Sequence, residues 1–282
     1  MKIVMITQAR VGSSRLYGKV LKPLPYNSNI TVLEQDIRRM KKSKYLNEII
    51  VATTNKKEDD IILKITEKEK VKHFRGSEND VLSRYYFAAK ENSVDVIVRV
   101  TSDCPCIDSE IIDIVIKEYL KDTSYDFVAT VLKRTFPIGL DVEVIKFSAL
   151  EKAYKEAEKD YQREHVTDYI YENPNKFKLK NVLAPNKYNN PELRITLDTK
   201  EDYMQLCAIY DYLYYKEEYF SAESVVKILT EKPWLKYINY NVIQKKDSCS
   251  IDEEIKDAIN VLEFNGLKRA GNILKKGYNE RF

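Results

Sequence analysis

From Ile3 to Lys121 the chain alternates short β-branched apolar runs with stretches of helical periodicity. The runs are Ile3 to Thr7, Glu48 to Thr54 and Val94 to Thr101, rich in Ile, Val and Thr, with a short strand predicted over Val71 to Phe74. Between them, Val32, Leu33, Ile37 and Met40 recur at helical spacing behind a Thr31–Glu34 capping box. Ile61, Ile62 and Ile65 mark a helix over 59–70. Val81, Leu82, Tyr85, Ala88 and Ala89 mark one that starts at Ser77 to Asp80, and Ile111, Ile112, Val115 and Tyr119 one over 108–121. Strand and helix in strict alternation predict an α/β fold, a mostly parallel sheet with helices on both faces. Ligands bind such sheets outside the carboxyl ends of the strands. The segment after Thr7, the Arg75–Asp80 turn and the Asp103 turn all fall there, and are expected to meet.

The rhythm changes after Tyr125. Strands are predicted over 125–131 and 139–145, linked through Phe136-Pro137-Ile138, and the sheet becomes mixed. A Ser148–Glu151 capping box starts a helix, another covers 160–172, and strands follow over 177–183 and 193–197. Helices are expected over 201–215 and 221–231. The tail opens with a Ser250–Glu253 capping box, and Ile255, Ala258, Ile259, Leu262, Ala270, Ile273 and Leu274 mark one apolar face. Gly266 is expected to divide this helical tail in two and Gly277 to end it. The division into domains is therefore 1–240, carrying the site, and 241–282, a helical C-terminal extension. Its apolar stripe suits a homodimer contact or packing on its own domain.

Composition narrows the class. The 282 residues are 44% apolar and 32% charged, as in a globular protein. The longest apolar runs, about six residues, are far below the roughly 20 that span a bilayer. No membrane association is expected, no secretory signal is evident, and a cytoplasmic location is the expectation. Net charge is +3 with lysine dispersed along the chain, so nucleic acid is not an expected partner. Cys104, Cys106, Cys207 and Cys249, with only His73 and His165 elsewhere, lack the paired spacing of a structural zinc site.

The candidate chemistry lies first in the segment after Thr7, which carries Arg10, Gly12, Ser13, Ser14, Arg15, Gly18 and Lys19. Glycine permits close backbone approach, successive N–H groups make an anion-binding concavity, and Arg and Lys supply the charge that a polyphosphate requires. Five residues separate Gly12 from Gly18, and Val20 follows Lys19, so the segment is not a Walker A loop. No G-x-G-x-x-G dinucleotide fingerprint is present either.

Ala9 to Leu21 resembles the signature of cytidylyltransferases that activate acidic sugars, the acylneuraminate and 3-deoxy-octulosonate enzymes. It is closer to their spore-coat polysaccharide protein F branch. The resemblance extends in order through Phe74 to Leu82, Arg99 to Pro105, Phe136 to Glu143, Arg163 to Val166 and Leu197 to Thr199. Tyr17 stands where proline is common in the first motif. The resemblance implies a Rossmann-like nucleotidyltransferase fold and a Mg²⁺-dependent transfer of CMP from CTP to a small-molecule acceptor. It implies nucleotide contacts from Ala9, Arg10, Gly12, Ser13, Ser14, Arg15, Lys19, Arg75, Ser77, Asp80 and Asp103. The catalytic set would be Arg10, Arg15, Lys19 and Asp103, with Mg²⁺ held by Asp103 and Asp198. An acceptor side would be formed by Asp141, Glu143, Arg163 and His165. The expected acceptor is an acidic, nonulosonate-like sugar for surface polysaccharide; a phosphorylated acceptor giving a CDP-linked product is the alternative.

Overall fold

The computed structural model describes residues 1–243 and 251–279. The elements run β1 (Ile3–Gln8), α1 (Val32–Met40), β2 (Glu48–Thr54), α2 (Asp60–Lys68), β3 (Lys72–Gly76), α3 (Val81–Glu91), β4 (Val96–Arg99) and α4 (Ser109–Lys121). There follow β5 (Phe127–Ala129), β6 (Glu143–Lys146), α5 (Phe147–Glu156), α6 (Asp160–His165), α7 (Asp168–Glu172) and β7 (Leu179–Asn181). The helices α8 (Lys200–Leu213), α9 (Ala222–Glu231), α10 (Trp234–Tyr237), α11 (Ile251–Phe264) and α12 (Lys268–Asn279) complete the order.

The strands form one seven-stranded sheet in the order β3-β2-β1-β4-β6-β5-β7. Only β6 runs against its neighbours; β1, β2, β3 and β4 are parallel, as are β5 and β7. Alternation along a strand sends successive side chains to opposite faces. Ile3 and Met5 of β1 join one buried cluster with residues of α1, α4, α8 and α9. Val4 and Ile6 join a second, with residues of α3, α5 and α7. Helices therefore cover both faces. The chain winds from β1 outward to β3, then returns across β1 to β4. That reversal opens a crevice at the carboxyl ends of β1 and β4, where ligands enter such sheets.

Four local expectations are corrected. The segment 193–197 does not join the ladder and forms a single parallel bridge between Ile138 and Arg194. Its backbone groups are divided between two loops: Ile195 donates to the Ile138 carbonyl and Leu197 to the Asp103 carbonyl, both at 2.8 Å. The predicted helix over 160–172 breaks at Val166, which sits fully buried at φ 68°, a strained position for a β-branched residue. Ser148 caps nothing: α5 starts directly after β6, and the Phe147 N–H is satisfied by the Asp95 carbonyl at 3.0 Å. Gly277 does not end the tail, because α12 runs on to Asn279. The Thr31–Glu34 capping box forms as expected, and Gly266, at φ 73°, separates α11 from α12. The Ser250 cap lies outside the described residues.

The chain divides into two compact units, Met1–Val242 and Ile243–Phe282. The second contains the α11–α12 hairpin, in which Lys275 pairs with Glu263 at 2.5 Å. Among the described residues no helix is long and apolar enough to cross a membrane.

Candidate active site

The loop after β1 is shaped by its buried residues. Val11, Leu16 and Val20 point inward, and the Val11 N–H donates to buried Asp59 at 2.7 Å. The Gly18 N–H closes the loop on the Val11 carbonyl at 2.9 Å. Gly18 itself lies at φ 66° before a short 3₁₀ turn, Lys19–Leu21, a conformation that side chains resist. With its apolar members anchored, the loop leaves Arg10, Ser13, Ser14, Arg15 and Lys19 on its outer side. Arg10 reaches Glu78 at 3.4 Å, and the buried Ala9 N–H is held by the Ala52 carbonyl at 3.2 Å. Gly12 approaches Glu58, whose Oε1 would lie 3.2 Å from an added Cβ.

Lys19 is the meeting point. Its Nζ donates to Asp103 Oδ2 at 2.7 Å and to Asp198 Oδ1 at 2.9 Å, bringing together residues 179 positions apart. Burial opposes the ammonium charge, but Asp103 and Asp198 outweigh it and push the lysine pKa up to about 12. Burial likewise acts against ionised Asp103; Lys19, with hydrogen bonds from Thr101 and Cys104, overcomes it and holds the carboxyl at about 2. Arg15 adds a second cation on Asp198 Oδ1 at 2.9 Å. Asp198 lies in a bend before Thr199, the residue that caps α8; its register comes from the clips to 103 and 138 rather than from a strand.

One cation thus sits between an oxygen of each aspartate, and the two oxygens can take a positively charged centre from both sides. That donor set fits Mg²⁺, which prefers one or two carboxylates with phosphate and water oxygens. Among the described residues no group of three or more His, Cys, Asp or Glu side chains could hold a metal ion. A metal at Asp103 and Asp198 would complete its shell with water or substrate oxygens.

The second expected nucleotide segment is close by but engaged internally. Arg75 donates to the carbonyls of Thr54 and Lys56 and pairs with Asp60 at 2.7 Å. Ser77 accepts from the Asp80 N–H at 3.2 Å. Asp80 caps α3 through Ser83 and receives Arg163 Nε and Nη2 at 2.9 and 2.6 Å. Arg163 thus joins the nucleotide-side segment instead of standing free on the acceptor side. Its remaining amine donates to the carbonyls of Tyr154 and Ala157.

On the acceptor side Glu143 is buried, paired with Arg99 at 2.7 Å and bonded by the Thr167 hydroxyl at 3.2 Å. Burial pushes the Glu143 carboxyl upward, Arg99 opposes without cancelling it, and the charge of Asp141 adds to the rise. Asp141 pairs with Arg134 at 2.8 Å. His165 ends α6, two residues before Thr167.

Four residues not read from the sequence belong to this region. Arg99 lies within a recognised motif yet reads as an ordinary strand cation. Arg194 and Asp202 bracket Asp198 from four residues on either side. Asp36, on α1, is fully buried with neither carboxylate oxygen hydrogen-bonded. Burial first, then the charge of Asp103, raises its pKa well above the usual range, against Arg39 and Lys19. A four-residue spacing was the available signal for Asp202; nothing local marks Asp36 as buried, since the polar side of α1 is covered only after the chain returns.

The comparisons agree with this geometry. The family model described as cytidylyltransferase matches residues 4–246, so the chain belongs to the cytidylyltransferase family and is a CTP-dependent nucleotidyltransferase. A cytidylyltransferase structure from Leptospira borgpetersenii superposes with a TM-score of 0.78 at 36% identity, covering 84% of this chain and 97% of that one. The spore coat polysaccharide biosynthesis protein SpsF of Bacillus subtilis is 33% identical over 234 residues, 82% of this chain and 95% of its own length. An uncharacterised protein of Methanocaldococcus jannaschii is 45% identical over 248 residues, 87% of this chain and 97% of its own length.

Proposed function

We propose that this enzyme transfers CMP from CTP to an acidic, nonulosonate-like sugar and releases pyrophosphate, with Mg²⁺, in the supply of a surface polysaccharide or glycan precursor. The observation that carries the reading is the convergence of Lys19 and Arg15 on Asp103 and Asp198 at the carboxyl-end crevice. Likeness to the Bacillus spore-coat protein supports the polysaccharide setting.

In this reading Arg10, Arg15 and Lys19 bind the triphosphate of CTP, and Ser13 and Ser14 offer further donors. The loop backbone from Ala9 to Gly12 follows the phosphates, while the Arg75–Asp80 segment borders ribose and base. Asp103 and Asp198 would hold Mg²⁺, which would supply charge neutralisation to the phosphates. The acceptor hydroxyl forms its bond to the α-phosphorus as the bond to pyrophosphate breaks. Glu143 and Asp141 border the acceptor with His165, where a carboxylate can accept the hydroxyl hydrogen, and Arg163 steadies the nucleotide-side segment through Asp80. Catalysis is chiefly positioning and charge stabilisation.

A panel of nucleotides and acceptors, read as pyrophosphate release, tests the reading. Release with CTP and an acidic sugar, and little with UTP, is expected. Release only with phosphorylated acceptors would replace the sugar assignment by a CDP-linked product. Lys19→Ala should lower turnover by about 10²-fold or more, the loss typical of a removed charge stabiliser. Near-normal turnover in that variant would remove Lys19 from the mechanism.

A further inference from the structure

The aspartate that ends the site at 198 is gripped from behind. Asp198 Oδ1 faces Lys19 and Arg15, whereas its other oxygen, Oδ2, accepts Arg194 Nη2 at 2.9 Å. Arg194 binds the carboxylate oxygen that the two loop cations do not, and is itself paired with a further carboxylate. Its Nε and Nη2 meet Asp202 Oδ1 and Oδ2, both at 2.9 Å, a planar fork on a carboxylate. Asp202 has no exposed surface, and its Oδ2 also accepts the backbone N–H groups of Asp198 at 2.9 Å and Thr199 at 3.0 Å. Asn239 completes the set, donating to Asp202 Oδ1 at 2.9 Å and to the Arg194 carbonyl at 3.2 Å, and receiving Gln205 at 2.7 Å.

A capping box alone would not require this. Thr199 with Asp202 already caps α8, and a buried arginine is an expensive addition to a helix start. What the arginine adds is a fixed direction for Asp198: the backbone N–H is held by one end of the network and Oδ2 by the other. Only Oδ1 remains for exchange among Lys19, Arg15 and an incoming cation.

Resting on the metal-site reading above, we propose that Arg194 and Asp202 are positioning residues for Asp198. They lock its side chain so that it presents the single oxygen Oδ1 to the cation position, and they stay in place when the loop cations turn to the triphosphate. Partners of this kind behind a ligand commonly alter metal affinity by 10–100-fold when replaced.

The test is Mn²⁺ binding to the full-length protein in the presence of CTP, followed by electron paramagnetic resonance. The double variant Arg194→Gln with Asp202→Asn replaces the ion pair by neutral amides of similar shape and avoids an orphaned buried charge. It should weaken Mn²⁺ about tenfold or more, lowering kcat more than it raises KM for CTP. Val115→Ala is the control: it removes buried core volume on α4, outside this network, and is expected to lower the melting temperature while leaving Mn²⁺ affinity within about twofold. Binding of Mn²⁺ by the double variant at wild-type strength, with melting temperature alone reduced, overturns the positioning role while the metal-site reading stands. Equal weakening of Mn²⁺ by the double variant and by Val115→Ala also overturns it, assigning the loss to general loosening. Absence of CTP-dependent Mn²⁺ binding in the wild type overturns both.

Discussion

In the metal site proposed above, the ammonium of Lys19 occupies the place between Asp103 and Asp198 that a divalent cation would take, and the two would compete in the nucleotide-free protein. Lys19→Met should therefore raise Mn²⁺ affinity without CTP by roughly tenfold or more, the scale of one unit charge removed a few ångströms away in a partly wet site. Titration by paramagnetic resonance checks this; equal affinity in wild type and variant would mean that lysine and metal do not share a position. Asp36 gives a second prediction, on pH. A carboxyl whose folded pKa is raised contributes stability below its unfolded value, about 3.8, and loses it as pH climbs toward the folded value. Asp36→Asn removes that penalty, so its melting temperature should rise above wild type by several degrees at pH 7 and by much less near pH 4. A constant difference across that range would show that Asp36 is not protonated in the folded state. At this scale the meeting of the Lys19 loop with the Asp103 turn was legible, because both follow parallel strands whose ends lie together. Asp36 was not, because its environment is made by Asp103, Arg39 and Lys19, from three parts of the chain.

Elements explain why Asp198 could be singled out and yet given the wrong setting. The strands rich in β-branched residues, β1, β2 and β4, were legible because a parallel ladder buries both of their faces. The run 193–197 has the same composition but joins no strand, and its backbone is claimed instead by 138 and 103. Gly139 makes this possible. It lies at φ 101°, and an added Cβ would come within 2.7 Å of the Ile195 carbonyl group, so the strand leading to Glu143 passes directly against the segment leading to Asp198. Gly139→Ala must move backbone on one side or the other. It is expected to destabilise the protein by about 2 kcal/mol or more and to reduce turnover beyond what the loss of folded protein explains. Calorimetry with activity normalised to folded protein separates the two; an unchanged melting temperature would show that the two segments have slack between them.

At the scale of the whole molecule, the question is how much chain the site requires. Every residue proposed for it lies within Met1–Val242, and the family model ends at residue 246, so none of the proposed site residues comes from α11 or α12. The boundary is nonetheless sharp on its inner side. Asn239, only 4% exposed, ties the end of this unit to Asp202 and Arg194, and so to the aspartate that closes the crevice. A chain ending at Val242 should keep CTP-dependent turnover within about twofold, the range of change expected when distant, independent parts are removed. One ending at Tyr237 loses Asn239 and leaves buried Asp202 and Gln205 short of a partner, a defect of about 1–3 kcal/mol per unsatisfied group. Its melting temperature should drop by several degrees and its turnover with it. Gel filtration of the longer truncation also tests the dimer read from the apolar stripe of the tail: an unchanged oligomeric state rejects a contact through these helices. The stripe was legible in sequence as a helical period, whereas the role of Asn239 was not, since a lone amide in a loop acquires its meaning only from Asp202 and Arg194, which meet it after folding.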